Sequence, residues 1–281
     1  MFIDLHLHST FSDGLLTVEQ LVKKARQKKI TLLALTDHDT LAGTKMFKKV
    51  CLQEGLKGLA GVEISTNYQG LDLHLVAYEP RHRLPLLIRH LRLQQNKRRE
   101  RAKAVIAKLK KVGLFFSLQT EHRLLGQSNV GKPHLGQAVL QEKRNRLILR
   151  RLFNFRGSLS DFISRFLDQP GQIAYVPKSK INTLAALKLL SRTGAKAVLA
   201  HPHLDLATHQ LAKKALAGFK KAGLWGVEMP HDRRERTFYR RLASRLGLTL
   251  TYGSDSHDGK GMGIKISQKE YQKFFLLDEI I

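Results

Sequence analysis

Cysteine is almost absent from this chain. The single Cys51 excludes an intramolecular disulfide and a cysteine-based zinc site. Long apolar runs are missing as well: none reaches the roughly 18 residues of a membrane span. The opening Met1-Phe2-Ile3-Asp4-Leu5-His6 has neither the basic start nor the apolar run of a signal peptide. A reducing, cytoplasmic location and no membrane partner are the expectations. Acidic residues are scarce, 23 against 49 Lys plus Arg, and the formal net charge is +26. The imbalance is local. Residues 1–80 carry nine basic and nine acidic side chains, 81–156 carry 20 and three, and 157–281 carry 20 and 11. A field of this kind attracts polyanions and speeds their association. Two readings stand: a solvated basic face, or a surface for nucleic acid or a phosphorylated substrate.

With 281 residues, 42% of them apolar, the chain can bury a sizeable core. A (β/α) barrel of ~250 residues is a common solution at this length. The first third alternates strand and helix signals. Strands are expected at 2–8, 31–36, 58–64 and 71–78. Helices are expected after Thr17, whose side chain and Gln20 have the spacing of a reciprocal N-terminal cap, and over 41–54. Repeated βα units favour a parallel sheet or barrel. From 84 to 112 runs a long basic helix pattern, followed by helical stretches at 134–153 and 159–167. Alternation resumes with strands near 173–176, 195–200, 224–228 and 248–252, and helices near 184–192, 208–221 and 233–246. The division expected is a barrel in two parts, 1–79 and 173–281, around a basic, mostly helical insertion at 80–172.

Thirteen histidines are many for this length. His6 and His8, two apart on a strand, share a face with Asp4. Asp13 follows in the turn Ser12-Asp13-Gly14. His38 and Glu63 close the second and third strands, and His74 lies in the fourth. His201 follows Val198-Leu199-Ala200. Asp255 and His257 follow the last strand, again two apart. Any one such histidine alone reads as a hydrogen-bonded core or surface residue. Nine suitable residues, nearly all at expected strand ends, read together as metal ligands, because strand ends are where α/β proteins build active sites. Imidazole with carboxylate suits Zn, Mn or Fe. Glu63 could bridge two ions, which favours a multinuclear site. Asp4, Asp37 and Asp39 are candidates to orient the ligand imidazoles. His82, His90, His122, His209 and His231 lack this placement and read as surface residues.

These residues carry a family resemblance. Asp4-Leu5-His6-Leu7-His8-Ser9-Thr10-Phe11-Ser12-Asp13-Gly14 resembles the opening motif of the polymerase and histidinol phosphatase (PHP) superfamily. Leu35-Thr36-Asp37-His38-Asp39-Thr40, Gly61-Val62-Glu63-Ile64-Ser65, Ala200-His201-Pro202 and Gly253-Ser254-Asp255-Ser256-His257 resemble its later motifs in the same order. Gly131-Lys132-Pro133-His134 and Ala174-Tyr175-Val176-Pro177 resemble motifs of a branch with a helical insertion, which includes 3′,5′-nucleoside bisphosphate phosphatases and 5′-3′ exoribonucleases of short RNA. The resemblance implies a distorted (β/α)7 TIM-like barrel and three divalent ions, manganese first, iron or zinc next. It implies His6, His8, Glu63 and Asp255 at one ion, Glu63, His74 and His201 at the second, and Asp13, His38 and His257 at the third.

The implied activity is phosphoester hydrolysis of 3′,5′-nucleoside bisphosphates or the 5′ ends of short RNA. A metal-activated hydroxide would attack, with no separate side-chain base assigned. Partners implied are a nucleotide or short RNA; no obligate protein partner is evident. The branch carries Arg where this chain has Gln137, and an Arg-Tyr pair where it has His203-Leu204-Asp205. Lys132, His134, Lys178 and His203 are therefore the candidate substrate contacts. Rival readings are a phosphatase of another metabolite such as histidinol phosphate, a non-catalytic RNA-binding protein stabilised by metal, and a polymerase-linked exonuclease.

Overall fold

The computed structural model describes residues 1–127 and 129–272. Its backbone separates into two units, Met1–Leu91 with Lys180–Ile281, and Arg92–Ser179.

The first unit is a mixed α/β structure around one curled sheet. Its opening elements are β1 (Phe2–Leu7), α1 (Val18–Gln27), β2 (Ile30–Leu35), α2 (Thr44–Gln53), β3 (Lys57–Tyr68) and β4 (Leu71–Tyr78). Thr17 caps α1 as its spacing predicts: the Gln20 amide donates to Thr17 Oγ1, and the Thr17 amide donates to Gln20 Oε1. Val18, Leu21, Val22 and Ala25 form the buried stripe of that helix. From Ile3 onward β1 is buried on both faces, as is usual for a strand of an α/β sheet that is covered on both sides.

The long helix α3 (Leu84–Lys111) contributes Leu87 and Leu91 to the core of the first unit. Its later residues Ala102, Val105, Ile106 and Leu109 belong to the second unit. That unit continues with α4 (Leu118–Gly126), α5 (Lys132–Gln141), α6 (Lys143–Phe153) and α7 (Leu159–Phe166). Phe155, Phe162 and Phe166 pack ring against ring at its centre, with centroids 4.9–6.0 Å apart.

The chain then returns to the first unit through β5 (Ile181–Asn182), α8 (Thr183–Ser191), β6 (Lys196–Leu199), α9 (Pro202–Asp205), α10 (His209–Lys221), β7 (Gly226–Glu228), α11 (Arg233–Leu246), β8 (Thr249–Thr251) and β9 (Ile264–Lys265). Strand order is β8-β7-β6-β4-β3-β2-β1-β9, with β5 paired to β3. The parallel pattern breaks at β4, which runs antiparallel to both β3 and β6. Only two residues join β3 to β4, too few for a crossover helix. The Leu5 amide donates to Tyr252 O (2.9 Å) and the His8 amide to Ser256 O (3.2 Å), which ties β1 to the segment after β8.

Three expectations need correction. Residues 173–176 are not a strand. The Ala174 amide donates to Phe166 O and the Tyr175 amide to Gln172 O, so the backbone is engaged in turns. The helix expected over 134–153 is two helices, because Glu142 adopts an extended conformation (φ −75°, ψ 116°) and caps the second through its side chain. Glu63 lies inside β3 rather than at its end. Helices α4 and α9 and strands β5 and β9 are not among the elements expected from the sequence.

Candidate metal centre

Glu63 is the hub of the first unit. Its side chain is fully buried, and its amide donates to Thr36 O (3.1 Å) and Asp37 O (3.3 Å). Those bonds bring the segment after β2 alongside β3, pairing His38 with Glu63. Glu63 Oε2 then lies 2.9 Å from His38 Nδ1, 3.2 Å from His8 Nε2 and 3.3 Å from His6 Nε2. Its other oxygen, Oε1, lies 2.9 Å from His74 Nδ1 and 3.3 Å from His201 Nε2. Asp255 Oδ1 approaches His8 Nε2 at 3.0 Å and His6 Nε2 at 3.4 Å. Asp13 faces His257 Nε2 at 3.3 Å, and both His8 Nδ1 and His38 Nε2 at 3.8 Å. All nine residues singled out by spacing thus meet in one cluster.

The cluster is drawn together by tight backbone. His201 (φ 27°) and Asp255 (φ 52°) both sit in the left-handed region, which is costly for residues with a side chain. Gly253 is required by close approach: a Cβ there would lie 2.3 Å from the His6 Cβ and 2.4 Å from Glu228 Oε1. Asp4 accepts from the Ser254 amide (2.9 Å), the Ser254 hydroxyl (2.7 Å) and the Gly263 amide (2.9 Å). It therefore fixes the loop that carries Asp255. Asp37 does the same for the loop that carries Asp13, accepting from the amide and hydroxyl of Ser9 at 2.7 Å each and from the Ser12 hydroxyl at 2.5 Å. Asp39 accepts from the Ser65 amide at 3.4 Å.

Two carboxylates that the sequence pattern did not single out hold imidazoles directly. Glu228, at the end of β7, sets Oε1 3.0 Å from His6 Nδ1, and its Oε2 accepts the His201 amide at 2.8 Å. Asp205, one helical turn beyond His201, lies 2.9 Å from His201 Nδ1. Glu228 could have been found by the strand-end rule applied to Leu224–Glu228, and Asp205 by its i+4 spacing from His201.

Electrostatics follow from this crowding. Burial raises the cost of charge on Glu63, but the surrounding imidazoles hold it well below the usual carboxylate range. Burial likewise opposes ionisation of Asp13 and Asp255, yet His257 and His38 beside Asp13, and His6 and His8 beside Asp255, keep both low. His8 and His201, although buried, are pushed up to about 10 by the carboxylates they face. His74 is held down by burial. The donor chemistry fits divalent cations. Three subsets each bring one donor atom per residue within 4.8 Å of one another: His6, His8, Glu63 and Asp255; His8, Asp13, His38 and His257; and His38, Glu63 and His74. The buried atoms His6 Nε2, His8 Nε2, Asp13 Oδ1, Glu63 Oε2 and Asp255 Oδ1 converge without hydrogen-bond geometry, which is costly unless something else satisfies them. His6, His8 and Glu63 are fully buried, whereas the side chains of His257 and Asp255 are 35% and 37% exposed, so solvent reaches the cluster from that side.

The four candidate substrate contacts fall in different places. His203 is half-buried on α9, two residues from His201. Lys132, His134 and Lys178 belong to the second unit. Lys132 pairs with Asp168, and His134 Nδ1 accepts the Gly131 amide at 3.0 Å as part of the α5 cap. Lys178 is exposed.

The sequence profile of the PHP domain matches residues 4–188. The chain belongs to the PHP domain family. Among its relatives, a 5′-3′ exoribonuclease of Haemophilus influenzae is 30% identical over 257 residues, spanning 90% of this chain and 89% of the relative. A 3′,5′-nucleoside bisphosphate phosphatase of Chromobacterium violaceum is 27% identical over 262 residues, spanning 91% and 87%. The solved structure of an amidohydrolase from Chromobacterium violaceum, with bound sulfate and no metal, matches with a TM-score of 0.79 at 26% identity, over 95% of this chain and 92% of that one. The exoribonuclease and the bisphosphate phosphatase are, by their names, enzymes acting on phosphate esters.

Proposed function

We propose that this PHP protein hydrolyses phosphate esters of nucleotides, namely 3′,5′-nucleoside bisphosphates and the 5′ ends of short RNA, at a centre of three divalent ions. The chain is a hydrolase of phosphoester bonds. The observation that carries the reading is the convergence of six imidazoles and three carboxylates on Glu63 and its neighbours. His6, His8, Glu63 and Asp255 would hold one ion. Glu63, His74 and His201 would hold a second, and Asp13, His38 and His257 a third, with His8 also within reach of that group. Manganese suits this mixed imidazole and carboxylate set, as do iron and zinc. We read the curled sheet as a distorted seven-stranded barrel, a reading supported by the bonds from β1 to the segment after β8.

Divalent ions bound here supply Lewis acidity and lower the pKa of coordinated water from about 15.7 towards 7. The chain's own contribution is orientation and charge. The Glu228 carboxylate takes the Nδ1 side of His6 and leaves Nε2 aimed at Glu63 and Asp255. Asp205 does the same for His201, whose Nε2 faces Glu63. Such partners fix ring orientation and tautomer. A phosphate ester reaching the cluster enters past Asp255 and His257, the exposed edge. His203 is the candidate phosphate contact beside it, and the basic second unit would draw in polyanions.

The test is metal analysis together with a substrate panel. The purified chain should contain stoichiometric divalent metal and release phosphate or nucleotides from adenosine 3′,5′-bisphosphate or 5′-phosphorylated RNA, in preference to histidinol phosphate. His6→Ala and Asp255→Ala should lose metal and activity while retaining the far-UV spectrum. Full activity in a metal-free variant would overturn the proposal.

A further inference from the structure

Helices α10 and α11 lie side by side on the first unit and enclose a groove of about 330 Å³. The groove is cationic. Arg234, Arg241 and Arg245 recur on α11 at intervals of seven and four residues, which places them along one helical face. Lys213 contributes from α10. All four are exposed; Asp232 lies near Arg234, while Lys213, Arg241 and Arg245 form no ion pair with a carboxylate among the described residues. Their neighbours on other faces of α11 are engaged: Arg236 Nε donates to Pro230 O, and Arg240 pairs with Glu270. Among the described residues no acidic side chain lines the groove. Three unpaired cations on a short stretch of surface repel one another unless an anion lies between them.

The groove also carries an aromatic platform. The exposed ring of His209 stacks on Phe238 with centroids 3.6 Å apart and planes at 7°. Glu235 fixes His209 Nε2 from behind at 3.1 and 3.2 Å. One face of the imidazole is thus covered by Phe238 and its edge is held. A cationic track with a rigid aromatic face is the pairing that binds single-stranded nucleic acid: cations follow the phosphates and the ring takes a base. An acidic peptide would use the cations but leave the platform idle.

The position matters too. Helix α10 follows the segment after β6 that carries His201, and α11 follows β7, which ends at Glu228. Because β6, β7 and β8 run parallel, both helices begin on the side of the sheet where His201 and Glu228 lie. The Glu235–His209 end of the groove is therefore the end on the metal-centre side, and Lys213, Arg241 and Arg245 lead away from it along the helices.

We propose that the α10–α11 groove is an exosite that holds the sugar–phosphate backbone of RNA downstream of the end being hydrolysed. The assignment rests on the hydrolase reading above. In the full chain, Lys213→Glu, Arg241→Glu and Arg245→Glu would be combined. A matched control, Lys23→Glu, Lys45→Glu and Lys49→Glu, carries the same charge change on exposed positions of α1 and α2. Binding to an RNA dodecamer with phosphorothioate linkages at its 5′ end would be followed by fluorescence anisotropy across a salt series. Turnover would be measured with the unmodified RNA and with adenosine 3′,5′-bisphosphate, which has no downstream nucleotides to lie in the groove.

The groove variant should bind the RNA roughly tenfold more weakly, and its slope of log affinity against log salt should flatten by about 2, three phosphate contacts at about 0.7 each. Its kcat/KM for RNA should fall by a similar factor while that for the bisphosphate is unchanged. His209→Ala should weaken RNA binding and leave inorganic polyphosphate binding as it is. Unchanged RNA affinity and slope in the groove variant, or an equal loss in the control, would overturn the exosite. So would an equal loss of bisphosphate turnover. A wild-type chain that hydrolyses neither substrate would instead remove the hydrolase reading, and with it the substrate role of the groove, whatever RNA binds there.

Discussion

Glu228 and His6 meet 3.0 Å apart at the base of the metal centre, and the same carboxylate accepts the backbone amide of His201 at 2.8 Å. One side chain thus positions two candidate ligands that lie 195 residues apart in sequence. Both of its partners present N–H groups, so both need an acceptor. Glu228→Gln keeps the volume but offers only one acceptor oxygen, and its NH2 must then face a donor. Metal affinity and turnover should each fall about 10- to 100-fold, the usual cost of losing such a partner. Metal titration of the variant, with the circular dichroism spectrum as a fold control, tests this. Wild-type metal affinity would show that Glu228 is not needed to set the rings.

Gly253 is the second point of leverage. Any Cβ at this position meets the Cβ of His6 and a carboxylate oxygen of Glu228 at under 2.5 Å. Gly253→Ala should displace β1 from the following loop, cost about 1–3 kcal/mol through overpacking, and reduce bound metal. A thermal melt and metal analysis of the variant would report both effects. An unchanged melting temperature and metal content would contradict the packing seen here.

Cys51 should be chemically silent in the folded chain. It is buried, and burial pushes its thiol up to about 12. Because the thiolate is the nucleophile, dithionitrobenzoate at pH 8 should label Cys51 slowly in native buffer and at once in guanidinium chloride. Rapid native labelling would mean that the α2–β3 packing opens readily.

Glu270 should support the fold in a pH-dependent way. The hydroxyls of Tyr252 and Ser267 and the Ser267 amide all donate to its carboxylate. Partial burial opposes the charge, but these donors hold the group down at about 2, against 4.5 when unperturbed. A depressed folded value means that the folded state binds the proton less readily than the unfolded chain. The stabilisation is therefore fully present above pH 4.5 and is lost as pH falls towards 2. Urea midpoints of the wild type and Glu270→Gln should differ at pH 7 and converge near pH 2. A difference that does not change with pH would rule out this linkage.

Much of this structure is legible in the sequence where a local rule decides the outcome. The cap at Thr17 and Gln20, the long helix from Leu84, and strand β4 all follow from short-range periodicity and capping chemistry. The pairs His6/His8 and Asp255/His257 stand out because a spacing of two on or beside a strand aims side chains the same way. What could not be read depends on partners distant in sequence. Nothing local marks β4 as antiparallel to β6, since alternation looks the same in either direction. The run Ile173–Val176 has strand composition, but Phe166 O and Gln172 O engage its amides in turns. Asp4 and Asp37 resemble partners for imidazoles, and instead hold loop amides and hydroxyls. Glu228 and Asp205 take that role; a strand end and an i+4 spacing mark them as candidates, but which imidazole each meets depends on where β7 and α9 dock.

The metal centre draws on His6 at one extreme and on Asp255 and His257 near the other, and Asp4 clasps the Ser254 loop to β1. On the ribosome this ordering has a consequence. His6 and His8 emerge long before Asp255, the carboxylate that faces them. The nascent chain carries a half-built set of histidines throughout that interval. The centre becomes complete only once Asp255 and His257 have emerged, so metal loading and closure of the first unit must follow their synthesis.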